Sequence, residues 1–478
     1  MNFRNKIEEY LTKANKTYSD CWETLLCLKK HNFGYNFIDS FFDFQTKLAT
    51  ALFNLEKFRI EIIKEEKRLI KNKTHYNPKW FNNRLKTLST YKKALKLSTN
   101  VGKSLGDAFV WWFYRFDFEL LHKHYNHNRN PHLPIGIGGV GELEFVKRIK
   151  HVQEKFTIYH GITNILRIGD VSFFDLEKMQ IVSLGEIKTE KSGVDNVNIS
   201  LIMFGPKSRT AFKVNDKISK AEKIEYFDKN RLNRQIRSMV EALKIYDDPK
   251  SNFEKIIGDG FYTKEIENLY KISTTKKLSF VQASSGLVFL GIKTRSESPV
   301  YKYLKSNTFK PSNKDELKTK DYMLKSVKTD SEYNSLVVGK LLYGNENIDN
   351  NIRGSIPLFW MDIDDKVLRD IYFQDFEVIS MFNPVHLIEE LIDNGVFINS
   401  NFYPEKKIPK DIKHPIIKVE YFDLFLPFIV GHLQTEKSVV RIVEMMKKEM
   451  FDSKLSKNTK AEIKMQQMIF EQMITPNR

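Results

Sequence analysis

The sequence predicts a mixed α/β protein with a helical N-terminal region and an α+β C-terminal region. Three observations carry this. From Lys6 to about His122 the apolar residues recur at helical spacing, whereas from Ile135 to about Thr294 short β-branched and aromatic runs alternate with helical stretches. After a polar stretch with Pro311, strand-like and helical segments mix again. The expected organisation is a helical region over 1–132, an α/β core over 133–300, a connector or insertion over 301–335, and an α+β region of unassigned role over 336–478.

Composition bounds the function. The chain has 478 residues, 41% of them hydrophobic and 29% charged, enough apolar surface for packed cores. Its net charge of +17 concentrates polyanions at the surface, so nucleic acid is the first partner to consider. Cys21 and Cys27 are too few for a disulfide framework or a four-cysteine zinc site, and a reducing, cytoplasmic compartment is expected. Met1 to Lys6 runs straight into charged residues, unlike a signal peptide, and no apolar run reaches the ~18 residues of a membrane span.

Taken in order, Phe41, Phe44, Leu48, Leu52, Leu55 and Phe58 mark the buried stripe of a helix. His122 to His132 holds four histidines among Asn and Pro, and reads as a solvated loop at a domain boundary. The glycines Gly136, Gly138 and Gly141 satisfy a dinucleotide-binding pattern but follow two prolines instead of a buried strand. They read as a flexible entry to a helix. Ile165–Asp175 and Gln180–Thr189 read as two strands joined by a turn at Glu177 and Lys178. Ile356–Ile363 reads as a buried strand, and Val439–Met473 as a Met-rich amphipathic helix suited to packing on its own core or a second subunit.

Chemistry concentrates in the two joined strands. Alternation puts Glu186 and Lys188 on one face, and Asp170 joins them if the register allows. Carboxylates among apolar neighbours need compensation, which a divalent cation supplies. Hard carboxylate oxygens that hold Mg²⁺ or Mn²⁺, with an ammonium near an attacking water, are the requirements of phosphodiester hydrolysis. Upstream, Glu142 lies in line with Phe145, Val146 and Ile149 on a helix's buried stripe, while Glu144 lies in line with Arg148 on the solvent side. Glu142 is the expected inward carboxylate.

These residues resemble the PD-(D/E)XK nuclease superfamily, the restriction-endonuclease-like fold, in chain order: a helix bearing Glu142, then Asp170, then Glu186-x-Lys188, with Gly169 in the place of the family's proline. The resemblance covers about 100 residues. It implies a mixed sheet flanked by helices, and a Mg²⁺- or Mn²⁺-dependent nuclease in which Glu142, Asp170 and Glu186 hold metal and Lys188 assists. It also implies DNA as the preferred substrate and, by analogy, a bacterial restriction or antiphage defence setting. In several subfamilies a residue of a following helix joins the site, and Gln235 is the candidate here.

Basic residues surround this constellation. Lys191, Lys207, Arg209, Arg234 and Arg237 are candidate phosphate contacts, which position a backbone without reading bases. No phosphate-binding loop of an ATPase is present, since Gly102-Lys103-Ser104 lacks the upstream glycine and strand. The alternative function is a non-catalytic nucleic-acid-binding or assembly protein whose α/β region is a scaffold. A protein partner or self-association would then engage the flanking helical regions.

Overall fold

Three long helices open the chain in the computed structural model: α1 (Phe3–Lys29), α2 (Phe37–Lys71) and α3 (Pro78–Phe113). The described residues are 3–30, 37–125, 127, 135–192, 196–204, 209–214, 222–223, 260–276, 278–294, 321, 325–327, 337–341, 357–394, 396–398, 417–419 and 426–441. The chain divides into two units, one holding the described residues through Lys223 and the other those from Gly260 on.

In the first unit the predicted helical stripe is the core. Ile7, Leu11, Tyr18, Trp22 and Leu25 of α1 are buried together with Phe41, Phe44, Leu48, Leu52, Leu55 and Phe58 of α2. Helix α3 starts at Asn77, whose side chain accepts from the Lys79 and Trp80 amides, with Pro78 where no backbone donor is needed. At its other end aromatic rings take over: Phe44 stacks on Phe109 with centroids 4.4 Å apart, and Phe113 meets Phe156 and Phe174 of the sheet.

Two shorter helices follow, α4 (Phe118–Tyr125) and α5 (Ile137–Arg148), and then a seven-stranded sheet. Its strands are β1 (His151–Val152), β2 (Lys155–Tyr159), β3 (Val171–Asp175), β4 (Gln180–Ser192), β5 (Asn196–Phe204), β6 (Arg209–Val214) and β7 (Glu222–Lys223). They pair in sequence order and antiparallel throughout. The mixed sheet expected from the sequence is therefore not what forms here, because short connections between sequential strands impose antiparallel neighbours. The β3–β4 turn is the one predicted: Asp175 Oδ1 accepts from the Glu177 and Lys178 amides, and Met179 closes it at φ 51°.

The expected boundary near residue 132 does not separate the helices from the sheet. Gln45 of α2 donates to the Thr157 carbonyl and accepts from the Tyr159 amide, standing in for a neighbouring strand along β2. His124, expected in a solvated loop, lies on α4 and is fully buried.

The second unit also departs from the expected division, since residues 260–294 of the 133–300 span pair with the C-terminal region. Helix α6 (Thr263–Thr275) packs on a four-stranded antiparallel sheet of β8 (Leu278–Gln282), β9 (Leu287–Lys293), β10 (Val337–Lys340) and β11 (Phe376–Phe382), in the order β10-β11-β9-β8. Helices α7 (Asp365–Tyr372), α8 (Val385–Asp393) and α9 (Leu426–His432) and the parallel pair β12 (Val396–Ile398) and β13 (Ile417–Val419) complete it. The segment read as a strand over Ile356–Ile363 is instead a 3-10 turn, Leu358–Trp360, after Pro357. A short apolar run reports burial, and here Leu358, Phe359, Met361 and Ile363 are all buried without any ladder. Of the connector only 321 and 325–327 are described, and of the Met-rich tract only residues through 441. No helix among the described residues is long and apolar enough to cross a membrane.

Candidate functional site

The loop between β2 and β3 delivers Asp170, and it is tied down along its length. Asp107 of α3 accepts from both the backbone and side-chain nitrogens of Asn164, at 2.7 and 3.0 Å, and burial pushes its carboxyl up to about 6. Arg167 lies over the Tyr125 ring, 4.1 Å from its centroid. Gly169 turns the chain at φ 75°, a conformation closed to proline, whose ring holds φ near −65°. The proline of the PD-(D/E)XK name could not occupy this position without rebuilding the turn.

Asp170 then enters the ladder. Its amide donates to the Gly185 carbonyl, and its Oδ2 accepts the Ile187 amide at 2.7 Å, taking the place of a strand acceptor between Glu186 and Lys188. Asp170 and Glu186 are 5% and 4% exposed. Lys188 Nζ donates to Glu186 Oε1 at 2.9 Å while its own side chain stays one-third exposed, so the ammonium reaches solvent from a buried carboxylate. Asp170 thus lies beside Glu186 and Lys188, joined to the strand between them through the Ile187 amide.

Glu142 is placed differently. Ladder register puts Glu186 and Lys188 on one face of β4 and Ile187 and Thr189 on the other. Helix α5 lies on the Thr189 side, so close that a Cβ on Gly141 would sit 2.0 Å from Thr189 Oγ1. Glu142 is 8% exposed and accepts from Tyr159 Oη at 2.8 Å. Glu142 faces inward and Glu144 outward, as helical spacing predicts, the latter pairing with Lys147 and Arg148. Helical spacing does not fix which side of the sheet the helix covers. Among the described residues no group of three or more His, Cys, Asp or Glu side chains is placed to hold a metal, and Glu142 is instead engaged by Tyr159. Two carboxylates are still a donor set that suits Mg²⁺, which takes one or two from protein and completes its shell with waters and substrate phosphate. Asp170 and Glu186 are the residues that would hold it.

On the face of Glu186, behind Asp170, lies a buried polar chain that the sequence did not reveal. Ile168 N–H donates to His124 Nδ1 at 3.3 Å, and His124 Nε2 lies 3.2 Å from Tyr114 Oη. Tyr114 Oη and His160 Nε2 each lie 2.6 Å from Ser172 Oγ, and His160 Nδ1 lies 3.1 Å from the Gly169 carbonyl. Burial holds the His124 imidazole well below its ordinary pKa and pushes the Tyr114 phenol up, so both are neutral at pH 7. Ser172 was the visible signal, a polar residue inside the apolar strand Val171–Phe174.

No family model, curated protein or solved structure matches this chain. The remaining candidates are only partly placed. Gln235, Lys207, Arg234 and Arg237 lie outside the described residues, and Lys191 and Arg209 lie on β4 and β6 with side chains outside them.

Proposed function

We propose that the first unit carries a metal-dependent phosphodiester-cleaving centre of the PD-(D/E)XK type, built on Asp170, Glu186 and Lys188, with DNA as its preferred substrate. The observation that carries the reading is the Asp170 carboxylate bound to the Ile187 amide, which sets one acid between the two members of Glu186-x-Lys188. The order helix α5, then β2, β3 and β4, agrees with the arrangement the resemblance implies. Asp170 and Glu186 would hold a Mg²⁺ or Mn²⁺ ion, which when bound would supply Lewis-acid polarisation of a phosphate oxygen. Lys188 would orient water or neutralise charge at the phosphate. Gln235 and the basic residues Lys191, Lys207, Arg209, Arg234 and Arg237 are proposed to position the backbone, and the free thiols Cys21 and Cys27 suit a reducing cytoplasm.

A second reading, a non-catalytic nucleic-acid-binding scaffold, draws on the side of the sheet to which Glu142 is assigned. The deciding experiment is cleavage of plasmid and oligonucleotide DNA in Mg²⁺ and Mn²⁺ by the parent and by Asp170→Asn. Metal-dependent cutting by the parent, lost in the variant, supports the nuclease. Binding without cutting in either metal moves the reading to the scaffold.

A further inference from the structure

Far from the sheet, the hairpin of α2 and α3 ends in a tip whose composition is unlike the rest of the bundle. Phe3, the first described residue of α1, packs against Phe58 and lies under Arg84, so the last turns of α2 and the first of α3 run on beyond α1 as a pair. Lys64 to Lys86 holds eight basic residues against Glu65 and Glu66, a net +6 in 23 residues. Both acids are engaged: Glu65 receives Arg68 through two bonds of 2.7 and 2.9 Å, and Glu66 pairs with Lys92. Lys67, Lys71, Lys73 and Lys79 are exposed around them.

Apolar groups sit in the middle of this charge. Trp80 is 48% exposed and Ile70 55%, whereas Trp22, Trp111 and Trp112 are buried. Trp80 is also held still. The Asn77 cap fixes its backbone in the first turn of α3, and the Tyr76 ring lies against it with centroids 5.0 Å apart. A rigid, half-open indole ringed by unneutralised lysines is the arrangement that takes an unpaired base on an aromatic face while ammonium groups hold the flanking phosphates.

We infer that the α2–α3 tip is a binding site for single-stranded nucleic acid, with Trp80 stacking on a base and Lys73 and Lys79 contacting the backbone. The inference rests on the proposal that nucleic acid is this chain's substrate, and adds the form it takes. At 1.5 Å per residue the tip lies about 40 Å along α2 from Gln45 at the edge of the sheet. A strand held there therefore anchors the substrate well away from the reacting bond.

The test uses the full chain with a fluorescent 20-mer of deoxythymidine in EDTA, where no cutting can occur. The parent's tryptophan emission should fall on titration, and Trp80→Phe should lose most of that change. Trp80→Ala should bind about tenfold more weakly, and the Lys73→Glu/Lys79→Glu double variant should flatten the log-log salt slope by about 0.7 per lysine. If the tip variants match the parent in affinity and salt slope, the tip assignment is overturned while the cleavage reading stands on its own assay. No binding of the oligomer at low salt overturns it as well, as does a preference for duplex that leaves Trp80 emission unchanged. A blue shift of Trp80 on phosphatidylserine vesicles without one on the oligomer assigns the tip to anionic lipid and overturns the proposal.

Discussion

His160 Nε2 lies 2.6 Å from Ser172 Oγ, and in a neutral imidazole this bond runs in one direction only. Nδ1 faces the Gly169 carbonyl, which can only accept, so it carries the proton and Nε2 accepts from Ser172. Ser172 must then accept from Tyr114, and Tyr114 from His124 Nε2, because His124 Nδ1 is already taken by the Ile168 amide. Every member has one donor and one acceptor in use. Tyr114→Phe breaks two links at once and should cost about 1 to 3 kcal/mol, seen as a lowered urea midpoint of the tryptophan signal. An unchanged midpoint would show that the chain of bonds contributes nothing.

The same chain makes the unit acid-sensitive with a definite sign. The folded pKa of His124 is depressed by burial, so its contribution is complete above the unfolded value near 6.5 and is lost as pH falls from there toward the folded value. Asp107, raised to about 6, works in the opposite sense, so the comparison must be made against a variant. The stability gap between parent and His124→Gln should narrow by about 1.4 kcal/mol between pH 7.5 and pH 5.5. A gap that is constant with pH sinks this assignment.

Asp170 has two tasks that substitution can separate. Asp170→Asn can still accept the Ile187 amide through its Oδ1, so the unit should melt within a few degrees of the parent. Cleavage in Mg²⁺ should nevertheless fall by about 10² to 10³, the loss typical of one preorganised electrostatic contact. Lys188→Ala should do likewise, since its ammonium is one-third exposed and little packing goes with it. Cutting at the parent rate by either purified variant would refute the site.

Much of this unit was legible in the chain because local rules decide it. The stripe from Phe41 to Phe58, the inward turn of Glu142 and the strand connection at Glu177 and Lys178 follow from spacing and side-chain chemistry within a few residues. What could not be read depends on partners distant in sequence. The side of the sheet that α5 covers is set by Gly141 meeting Thr189, and the pairing of β9 with β11 joins residues more than 80 positions apart. His124 looked like loop because Asn and Pro follow it, yet burial under Tyr114 and Ile168 gives it a helical place.

Glu142 divides the nuclease reading from its structural counterpart. Tyr159 Oη donates to it in a buried setting, so Glu142→Ala should destabilise the unit by about 1 to 3 kcal/mol, while Glu144→Ala should stay within about 0.5 kcal/mol. Glu142→Gln keeps the acceptor and discards the charge. Its position on the α5 side of the sheet predicts nearly parental cleavage with parental melting. A hundredfold loss of cleavage in a fully folded Glu142→Gln would return this residue to the metal centre.

The glycines before Glu142 offer the sharpest contrast, because the same substitution should act oppositely three residues apart. The motif read as a flexible entry is instead the first turns of α5, with Gly136 at its N-cap. A Cβ at Gly138 meets nothing within 4 Å, so Gly138→Ala should stabilise the helix by up to about 1 kcal/mol through lost unfolded-state freedom. At Gly141 the same methyl would fall 2.0 Å from Thr189 Oγ1 and 2.7 Å from its Cβ, against a β-branched side chain on a central strand. Helix α5 would have to lift from β4, at a cost of about 1 to 3 kcal/mol. Thermal melts of the two alanine variants and of Gly141→Ala with Thr189→Ser check this, the serine variant relieving part of the clash by removing the second branch. Equal shifts at 138 and 141 would mean that α5 does not lie against β4.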